Sequence, residues 1–537
     1  MSAHDTRHDA SDDDHRLAAL GYRPELSRVL SRFASFSVAF TYLSPMVGIY
    51  SLFVFGAGAG GPRYIWLMPI VVFGMWLVAR VFGELGSHYP VAGALYQYSK
   101  YTVGPRYGWW VGWFYGMALL VTVAAVDTGV VPYVVSLSNN WFNTSLDSGS
   151  HTTVLLITLA LLAVQTSLNI VGAKMMGRVA GFGTYAEMVG TFGIAIILLI
   201  AGFHHGLGFL FSSEGAEHVK TNSLGVDFGG NWWAGAALIA ILAHVYIFYG
   251  FESAGDVAEE TKDATRQVPR AMQQALLVGG LTSFVLVAAL LLATPDDPAG
   301  YKKATSLDGG VPFILSSNIS ASWLNDLLLL LVIFAFFSCG SSVQGAGARL
   351  AFSFARDGAL PGGKMVSKVS PRFHTPVNAL LLGALVPIVF TLLVNLTPNK
   401  DVHIGFITYP AKVSALTALV SFGVSGIYLS FLLTVIGAIV ARSRGWVPQG
   451  PFQLGRLGWA TTIGAAVYLG LMLINVVAPT GLTSPRGALF NLDWVTLAVM
   501  AVIGLLGLVA FLIVRPAERV VVHGRDDLAA PAGRRLE

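Results

Sequence analysis

The stretch Phe248-Tyr249-Gly250-Phe251-Glu252-Ser253-Ala254-Gly255 lies in the middle of an apolar segment that covers residues 232–258. A helix of about 20 apolar residues crosses the roughly 30 Å hydrocarbon core of a bilayer. Glycine weakens such a helix because it adopts backbone angles that other residues avoid. The two glycines, with the acidic Glu252 between them, therefore predict a membrane helix that is interrupted near its centre.

The same apolar pattern recurs along the rest of the chain. The 537 residues are 54% hydrophobic and 12% charged, with a mean hydropathy of +0.66, a composition too apolar for a water-soluble globule. We therefore predict an all-α integral membrane protein. Its twelve predicted spans lie near residues 34–55, 64–84, 108–136, 152–172, 180–202, 232–258, 273–294, 325–348, 376–396, 411–441, 457–479 and 491–514.

The basic residues are divided unequally between the two sets of loops. An even number of spans places both termini on one side of the membrane, and the side richer in lysine and arginine is cytoplasmic. Of the 33 lysines and arginines, those on the opposite side are Arg63, Lys220, Lys302, Lys303, Lys400, Lys412 and Arg486. We therefore expect both termini in the cytoplasm and the protein in the plasma membrane.

Several classes of protein are excluded by what the loops and tails contain. Residues 1–30 mix acidic and basic side chains without the order of a signal peptide, which predicts a mobile cytoplasmic tail. The longest loops, near 203–231 and 349–375, are too short for a soluble catalytic domain. The net charge of +4 is not clustered on one stripe, so nucleic acid is not an expected partner. The single cysteine, Cys339, excludes an intramolecular disulfide.

A second predicted interruption lies in the first span, at Ser44-Pro45-Met46-Val47-Gly48-Ile49. Transporters with inverted repeats bind substrate and ions where paired helices break near the midplane. The two interruptions occupy matching positions if residues 31–202 and 232–441 form two five-helix repeats of one transport core. Two further helices would then fill 442–514, followed by a cytoplasmic tail, 515–537. Proline and glycine also kink membrane helices without forming a site, and that alternative stays open.

Ionisable residues inside the bilayer cost about 2.5–3.5 kcal/mol each on insertion scales, so each is a functional candidate. Glu252 is the leading candidate for ion coupling or amine binding, with a structural carboxylate as the alternative. Asp127 is a candidate for holding a substrate amine, or it forms a helix pair near the outer side. Glu187 either relays protons or lies hydrated near a helix end. His244 is interpreted as a packing residue.

Polar and aromatic residues near these positions suggest further roles. Ser341 and Ser342, with Ser338, place hydroxyl ligands for sodium on one helix, although membrane serines more often bond their own backbone. Tyr249 and Phe251 suit either an aromatic wall beside the site or core packing. The glycines of 56–61 match G-x-G-x-x-G without a preceding strand, so nucleotide binding is not predicted. No cofactor, catalytic residue or metal site is expected.

Three segments together resemble one transporter family. The first follows the second span, the second continues the interrupted sixth span, and the third lies in a cytoplasmic loop. They read Glu84-Leu85-Gly86-Ser87-His88-Tyr89-Pro90-Val91-Ala92-Gly93-Ala94-Leu95-Tyr96, then Tyr249-Gly250-Phe251-Glu252 with Ala258-Glu259-Glu260-Thr261-Lys262, then Phe354-Ala355-Arg356-Asp357-Gly358-Ala359-Leu360-Pro361 with Thr375-Pro376-Val377-Asn378. The chain resembles the amino acid, polyamine and organocation transporter superfamily, and within it the amino acid and choline transporter branch.

The resemblance implies a five-plus-five inverted-repeat core, two extra C-terminal helices and alternating access. It implies that backbone donors around Met46, Val47, Gly48 and Ile49 hold a substrate carboxylate, with Ser44 beside them. The chain departs from the family where it has Ser44-Pro45-Met46-Val47-Gly48 instead of a stretch with two glycines. Amines without a carboxylate, such as choline or ethanolamine, therefore remain possible substrates.

The resemblance also places a cytoplasmic gate at Glu259, Arg349, Arg356 and Asp357, with Glu260 beside them. We expect a subset of these residues to form ion pairs that break when the inward path opens. The main functional hypothesis is a secondary transporter that imports an amino acid or related amine, coupled to protons or sodium. The alternatives are an exchanger, an amine transporter and a transporter-like nutrient receptor. The expected partners are a small-molecule substrate and the lipid bilayer, and the oligomeric state is left open.

Overall fold

The computed structural model describes residues 13–216, 230–306, 309–395, 402–404, 407–409, 415–477 and 495–520. The outer parts of the predicted tails, 1–12 and 521–537, lie outside the described residues. One edge of each of the last four predicted spans also lies outside the described residues, at 396, 411–414, 478–479 and 491–494.

The first half of the chain is helical and contains one interrupted membrane segment. Its helices are α1 (Arg32–Leu43), α2 (Pro45–Gly60), α3 (Met68–His88), α4 (Ala94–Thr102), α5 (Pro105–Gly129), α6 (Val131–Phe142), α7 (His151–Val171) and α8 (Ala173–Ala201). Short 3₁₀ helices cover Pro62–Leu67 and Leu207–Phe211. The helices α1 and α2 together occupy the first predicted span.

The second half begins with another interrupted segment. Its helices are α9 (Ala236–Ile247), α10 (Ser253–Asp256), α11 (Ala264–Leu292), α12 (Pro298–Ala304), α13 (Gly310–Asn318), α14 (Ser322–Arg356), α15 (Gly363–Val366), α16 (Val377–Asn395), α17 (Ala415–Ser443), α18 (Gly458–Val477), α19 (Val495–Val514) and α20 (Pro516–Arg519). A 3₁₀ turn, Ala258–Glu260, follows α10, and another, Gly455–Leu457, precedes α18. Two three-residue strands, β1 (Val402–Ile404) and β2 (Ile407–Tyr409), pair antiparallel between α16 and α17.

The described helices have the length and composition of membrane spans. Among the described residues, nine helical segments are long and apolar enough to cross a bilayer, and three shorter apolar helices cover Ala236–Ile247, Val377–Leu392 and Val499–Val514. Large apolar side chains such as Phe73 and Ile200 are exposed on the outer surface, as expected where lipid is the solvent. The chain is therefore an integral multi-pass membrane protein, whereas the count of twelve spans stays a prediction.

The two interrupted segments lie inside the helix bundle. The helix α2 packs along α9, and α1 packs against α8, α11 and α14. The long helix α5 runs beside them and packs on α14 and α17. A β-carbon added to Gly426 of α17 would lie 2.8 Å from the Ala118 side chain of α5, which shows how small residues allow close helix contact. Any site formed at the interruptions is therefore enclosed by helices.

The N-terminal segment differs from the mobile tail predicted for residues 1–30. A short helix covers residues 13–19, and Leu17, Leu20 and Leu26 are each at most 5% exposed. The Asp13 carboxylate accepts a hydrogen bond from the Ala264 amide at 3.0 Å, at the start of α11. Residues 13–30 thus pack on the helix bundle, because their few leucines find apolar partners that composition alone does not reveal.

Candidate functional site

The interruption between α1 and α2 is centred on Ser44. A proline disfavours helical angles in the residue before it, and Ser44 adopts φ 39° and ψ 90°. Pro45 then opens α2 at its first position, where the missing N–H costs no helical hydrogen bond. The Ser44 hydroxyl caps the new helix by accepting from the Val47 amide at 3.3 Å. The break is therefore narrower than the predicted stretch and lies at its N-terminal end.

The donors at the start of α2 already have partners in this conformation. The Gly48 amide donates to the Ser44 carbonyl at 3.1 Å, and the Val47 amide is bound by the Ser44 hydroxyl. The Met46 amide faces the carboxyl group of Glu187. Ile49 lies within the helical ladder of α2. Of the carboxylate-binding donors implied by the resemblance, the Val47 and Gly48 amides are thus engaged within the protein here.

The interruption between α9 and α10 covers residues 248–252. Gly250 has φ +108°, a backbone angle that favours glycine. The Glu252 carboxylate accepts from the Gly250 amide at 2.8 Å, and the Ser253 hydroxyl donates to the Gly250 carbonyl at 2.7 Å. These two hydrogen bonds hold the unwound segment in place and direct the Glu252 side chain into the helix bundle.

The two interruptions touch each other. A β-carbon on Gly250 would lie 2.7 Å from the Leu43 amide nitrogen and 2.9 Å from the Tyr42 carbonyl carbon. A β-carbon on Gly48 would lie 2.5 Å from the Ile247 side chain. Both glycines are therefore required by the close approach of the two broken helices, which agrees with their being singled out from the sequence.

Glu252 lies at this junction with no exposed surface. One of its oxygens accepts from the Tyr115 hydroxyl of α5 at 3.3 Å. The same hydroxyl donates to Asp256 at 2.8 Å. Neither Asp256 nor Tyr115 was predicted from the sequence, although Asp256 lies one helical turn after Glu252 and that spacing was a usable signal.

Glu187 of α8 also lies at the first interruption, which contradicts the expectation of a hydrated group near a helix end. Its side chain is 1% exposed, and it faces the Ser44 hydroxyl and the Met46 amide. Neither carboxylate oxygen makes a hydrogen bond of normal geometry within the described part of the chain. A buried carboxyl group without such partners is costly when ionised, so it is a candidate for binding a proton.

The aromatic residues divide between the two roles considered for them. Tyr249 contacts Tyr42 edge-on, with ring centroids 6.0 Å apart, and Tyr246 at 5.8 Å. Phe251 instead packs between Phe82 and Phe431, at 6.2 and 5.8 Å. Tyr249 therefore lines the junction, whereas Phe251 belongs to the apolar core.

The Asp127 carboxylate has its contacts on α7 and α14. Its carboxylate accepts from the Gln165 amide of α7 at 2.7 Å and faces Gly340 of α14, where a β-carbon would lie 2.8 Å from it. His244 lies against the Tyr64 carbonyl at 3.1 Å and stacks on the Tyr64 ring, as a packing histidine does. Asp127 therefore sits between α5, α7 and α14, and its carboxylate makes no hydrogen bond to Glu252 among the described residues.

The serines of α14 are partly engaged with neighbouring helices. The hydroxyls of Ser342 and Thr41 are 2.8 Å apart, and Ser338 donates to the Val179 carbonyl at 3.4 Å. The Ser341 hydroxyl is buried without a partner among the described residues, while its carbonyl accepts from Asn169 of α7. Ser342 and Ser338 thus face α1 and α8, and the backbone of Ser341 contacts α7.

The predicted gate residues form a charge cluster at one end of the helix bundle. Arg349 donates two hydrogen bonds to Glu260, at 2.9 and 3.1 Å. Arg356 donates two to Glu259, at 2.7 and 3.0 Å. Asp357 instead pairs with Lys100 of α4. These pairs define the inner charge cluster: Glu259, Glu260, Arg349, Arg356, Asp357, Lys100 and Tyr22.

Lys100 and Tyr22 complete this cluster and were not predicted. The Lys100 ammonium lies 2.7 Å from the Asp357 carboxylate and hydrogen-bonds the Tyr22 hydroxyl. The Tyr22 hydroxyl also donates to Asp357 at 2.8 Å, and its ring lies under the Arg356 guanidinium at 4.1 Å. Burial lowers the pKa of Lys100, and the Asp357 carboxylate partly opposes this shift. The N-terminal segment is thereby fastened to the predicted gate.

The chain is similar over most of its length to known proteins. A family model described as "Amino acid permease" matches residues 30–514. The amino-acid permease BAT1 of Arabidopsis thaliana is 26% identical over 86% of this chain and 87% of its own length. An uncharacterized amino-acid permease of Schizosaccharomyces pombe is 24% identical over 88% of this chain and 80% of its own. A Candida albicans protein named as a polyamine transporter is 25% identical over 88% and 82%.

Proposed function

Because the family match extends over most of its length, the chain belongs to the amino acid permease family, and we propose that it imports an amino acid or an amino-acid-like amine across the cytoplasmic membrane. The proposed mechanism is alternating access, in which one central site opens first to one side and then to the other. The observation that carries this proposal is the contact between the two helix interruptions, with the Glu252 carboxyl group buried at their junction.

The proposed architecture has twelve membrane helices and both termini in the cytoplasm of a plasma-membrane protein. Residues 31–202 and 232–441 would form two inverted five-helix repeats, and residues 442–514 two additional helices. This proposal is supported by the positions of the interruptions, since α1–α2 opens the first unit and α9–α10 opens the second. Inverted repeats place equivalent broken helices face to face.

The proposed driving force is a gradient of protons or of sodium. Protons are favoured by the surroundings of the two acids at the interruptions. Glu252 and Glu187 are at most 1% exposed, and neither forms a salt bridge with a lysine or arginine among the described residues. A buried acid without a cation is stabilised by taking up a proton, which suits a group that binds and releases one in each cycle.

The inner charge cluster is the proposed cytoplasmic gate. Opening the inward path would separate α14 from the segment after α10, and this separation would break the pairs of Arg349 with Glu260 and of Arg356 with Glu259. Breaking a buried ion pair leaves uncompensated charge, so water must enter as the path opens. The gate is therefore expected to close the protein firmly until substrate and ion are bound.

A second candidate is an amine transporter, and one observation favours it. The Val47 and Gly48 amides at the start of α2 are engaged by Ser44, whereas the acidic Glu252 lies at the junction, where its carboxylate can bind a cationic group in addition to the Gly250 amide. One relative, from Candida albicans, is named as a polyamine transporter. An amine without a carboxylate would need Glu252 and no donors from α2.

Both candidates can be tested with the purified full-length protein in sealed vesicles. Uptake of labelled neutral and charged amino acids, 4-aminobutyrate, putrescine, choline and ethanolamine is measured with separately imposed proton and sodium gradients. The compounds 4-aminobutyrate and putrescine form a matched pair, because one end is a carboxylate in the first and an amine in the second. Glu252→Gln is compared with Glu214→Gln. Glu214 is exposed and lies in a loop predicted to be on the non-cytoplasmic side of the membrane.

The outcomes separate the hypotheses. Accumulation driven by one gradient and lost only in Glu252→Gln establishes a coupled symporter and its ion. If putrescine is taken up and 4-aminobutyrate is not, the protein is an amine transporter. Uptake that requires substrate inside the vesicle establishes an exchanger, and binding without any movement would make the protein a receptor and end the transport proposal.

A further inference from the structure

Asp256 has surroundings that the proposed transport site does not yet account for. It is the last residue of α10, one helical turn beyond Glu252, and has no exposed surface. One carboxylate oxygen accepts from the Tyr115 hydroxyl at 2.8 Å. The other oxygen has no hydrogen-bond partner among the described residues. A carboxyl group in this position is not needed to end the helix, since the Val257 amide bonds the carbonyls of Ser253 and Gly255 there.

Tyr115 links the two acids of the helix break. Its hydroxyl lies 2.8 Å from Asp256 and 3.3 Å from Glu252. A hydroxyl has one proton to donate and can accept another, so Tyr115 is able to take a proton from one carboxyl group while it gives its own to the other. The three groups form a continuous path along the inner half of the broken helix.

A further unpartnered group points to the same place. The Tyr98 hydroxyl of α4 is buried without a hydrogen-bond partner in the described structure. It lies beside Gly255, where a β-carbon would be 2.6 Å from it, and it interacts electrostatically with Asp256. The path therefore does not end at Asp256, because a polar group of the cytoplasmic helix α4 is in place beyond it.

The charges around the pair favour one shared proton. The titratable and charged groups facing Glu252 and Asp256 from the neighbouring helices are Tyr42 of α1, Tyr98 of α4, Tyr115 of α5, Arg349 of α14 and Tyr428 of α17. Arg349, the cation of this set, is already bonded twice to Glu260. With Arg349 paired to Glu260, two ionised carboxylates would still repel each other strongly in this buried site, so a single proton held between them lowers the energy.

We propose that Asp256 is a second proton-binding site of this broken helix, beside Glu252, and that it receives the coupled proton from Glu252 through the Tyr115 hydroxyl and passes it toward the inner charge cluster. In the transfer, the O–H bond of protonated Glu252 breaks and a new bond forms to the Tyr115 oxygen. The original O–H bond of Tyr115 breaks and its proton joins Asp256. Glu252 is left ionised and Asp256 neutral, so atoms and charge balance. This inference rests on the proposed proton-coupled transport.

The first test is gradient-driven uptake by the full-length protein with Asp256→Asn. Asparagine keeps the size and the acceptor for Tyr115 but cannot carry the proton. Substrate binding and exchange of internal for external substrate should be unchanged, while proton-driven accumulation falls by about 100-fold, the lower range for a positioned proton-transfer group. Tyr115→Phe should cause the same loss, and the double variant no more, because both act on one path. Asp296→Asn, an exposed acid, serves as the control.

The second test does not depend on transport. Infrared difference spectroscopy of the purified protein compares wild type with Asp256→Asn at neutral pH. The shared proton is supported if Asp256→Asn loses a protonated-carboxyl band and Glu252→Gln alters the same band. This result would count even if the protein moves no substrate on the panel. Wild-type protein in which both groups show only carboxylate bands overturns the inference.

The two proposals fail in distinguishable ways. Proton-driven accumulation that survives in Asp256→Asn overturns the second site and leaves the proposed function intact. Accumulation driven by sodium alone, without a proton moved, overturns the relay while transport itself stands.

Discussion

Gly250 lies so close to the backbone of Leu43 that a β-carbon on Gly250 would approach the Leu43 amide nitrogen to 2.7 Å. Leu43 is the last residue of α1, and Gly250 lies in the unwound segment between α9 and α10, so both membrane segments are interrupted where they meet. The contact places the Glu252 carboxyl group, the Ser44 cap and the Glu187 side chain around one enclosed junction. The proposed transport cycle depends on this junction staying unwound.

Gly250→Ala tests whether the contact is essential. Alanine at φ +108° is strained by about 1–3 kcal/mol, and its side chain would push α1 away. We expect a lower melting temperature and loss of substrate uptake, measured on the same preparation. Gly193→Ala in α8 is the control, because no atom lies within 4 Å of a β-carbon there. Normal uptake by Gly250→Ala would show that the close approach is not needed.

Glu187→Gln tests the acid that lacks hydrogen-bond partners. The change keeps the side-chain size and removes a buried charge, so the melting temperature should stay the same or rise. Gradient-driven uptake should fall, since the proposed proton site is lost, while substrate exchange is retained. Both quantities are compared with Glu214→Gln. Undiminished gradient-driven uptake would leave Glu187 with a packing role.

The pair of Arg356 and Glu259 tests the gate. Arg356→Glu places two acids together in a buried position and should destabilise the closed state by about 3–5 kcal/mol. Combining it with Glu259→Arg should recover part of the melting temperature and of the uptake. Arg372→Glu, an exposed arginine on the same side, controls for net charge. The gate proposal fails if charge reversal at Arg356 leaves uptake untouched.

The attachment of residues 13–30 should depend on pH through Lys100. Burial lowers the pKa of Lys100 from its usual 10.5, so the attached state binds this proton more weakly than a released state does. Attachment is then favoured as pH rises from neutral. This pH range ends near 10.0, the usual pKa of Tyr22. Burial raises the pKa of Tyr22, so above this pH the tyrosine ionises more readily in the released state, which favours release.

This pH dependence can be followed with a nitroxide on Ala19→Cys, since the native Cys339 is buried. Label mobility should decrease from neutral pH toward 10.0, and Lys100→Met should remove the change. If label mobility decreases equally in Lys100→Met, the pH dependence belongs to other groups.

Asp127→Asn tests the acid that is bonded to Gln165 of α7. Asparagine keeps the contact with Gln165, so we expect normal substrate affinity and unchanged KM in the uptake assay. Glu252→Gln, measured beside it, should lose uptake. A large loss of affinity in Asp127→Asn alone would restore Asp127 to the substrate site.

The positions of the helix breaks could be predicted from local sequence because their causes are local. Pro45 forces Ser44 out of the helical region, and Gly250 supplies an angle that other residues avoid. The same reasoning left two roles open for Asp127. A membrane helix can present a polar residue in any direction, and its rotation is set by packing against neighbours such as Gly340 and Gln165.

By itself, the sequence determined that the chain is a multi-pass helical membrane protein, where two of its helices break, and which family motifs it carries. These follow from hydropathy over about 20 residues and from the backbone limits of proline and glycine. Only the tertiary structure decided which polar groups meet. Tyr22 reaches Asp357 and Tyr115 reaches Glu252 and Asp256 across long separations in the chain. Such contacts depend on how whole helices pack, and no local pattern of residues encodes that.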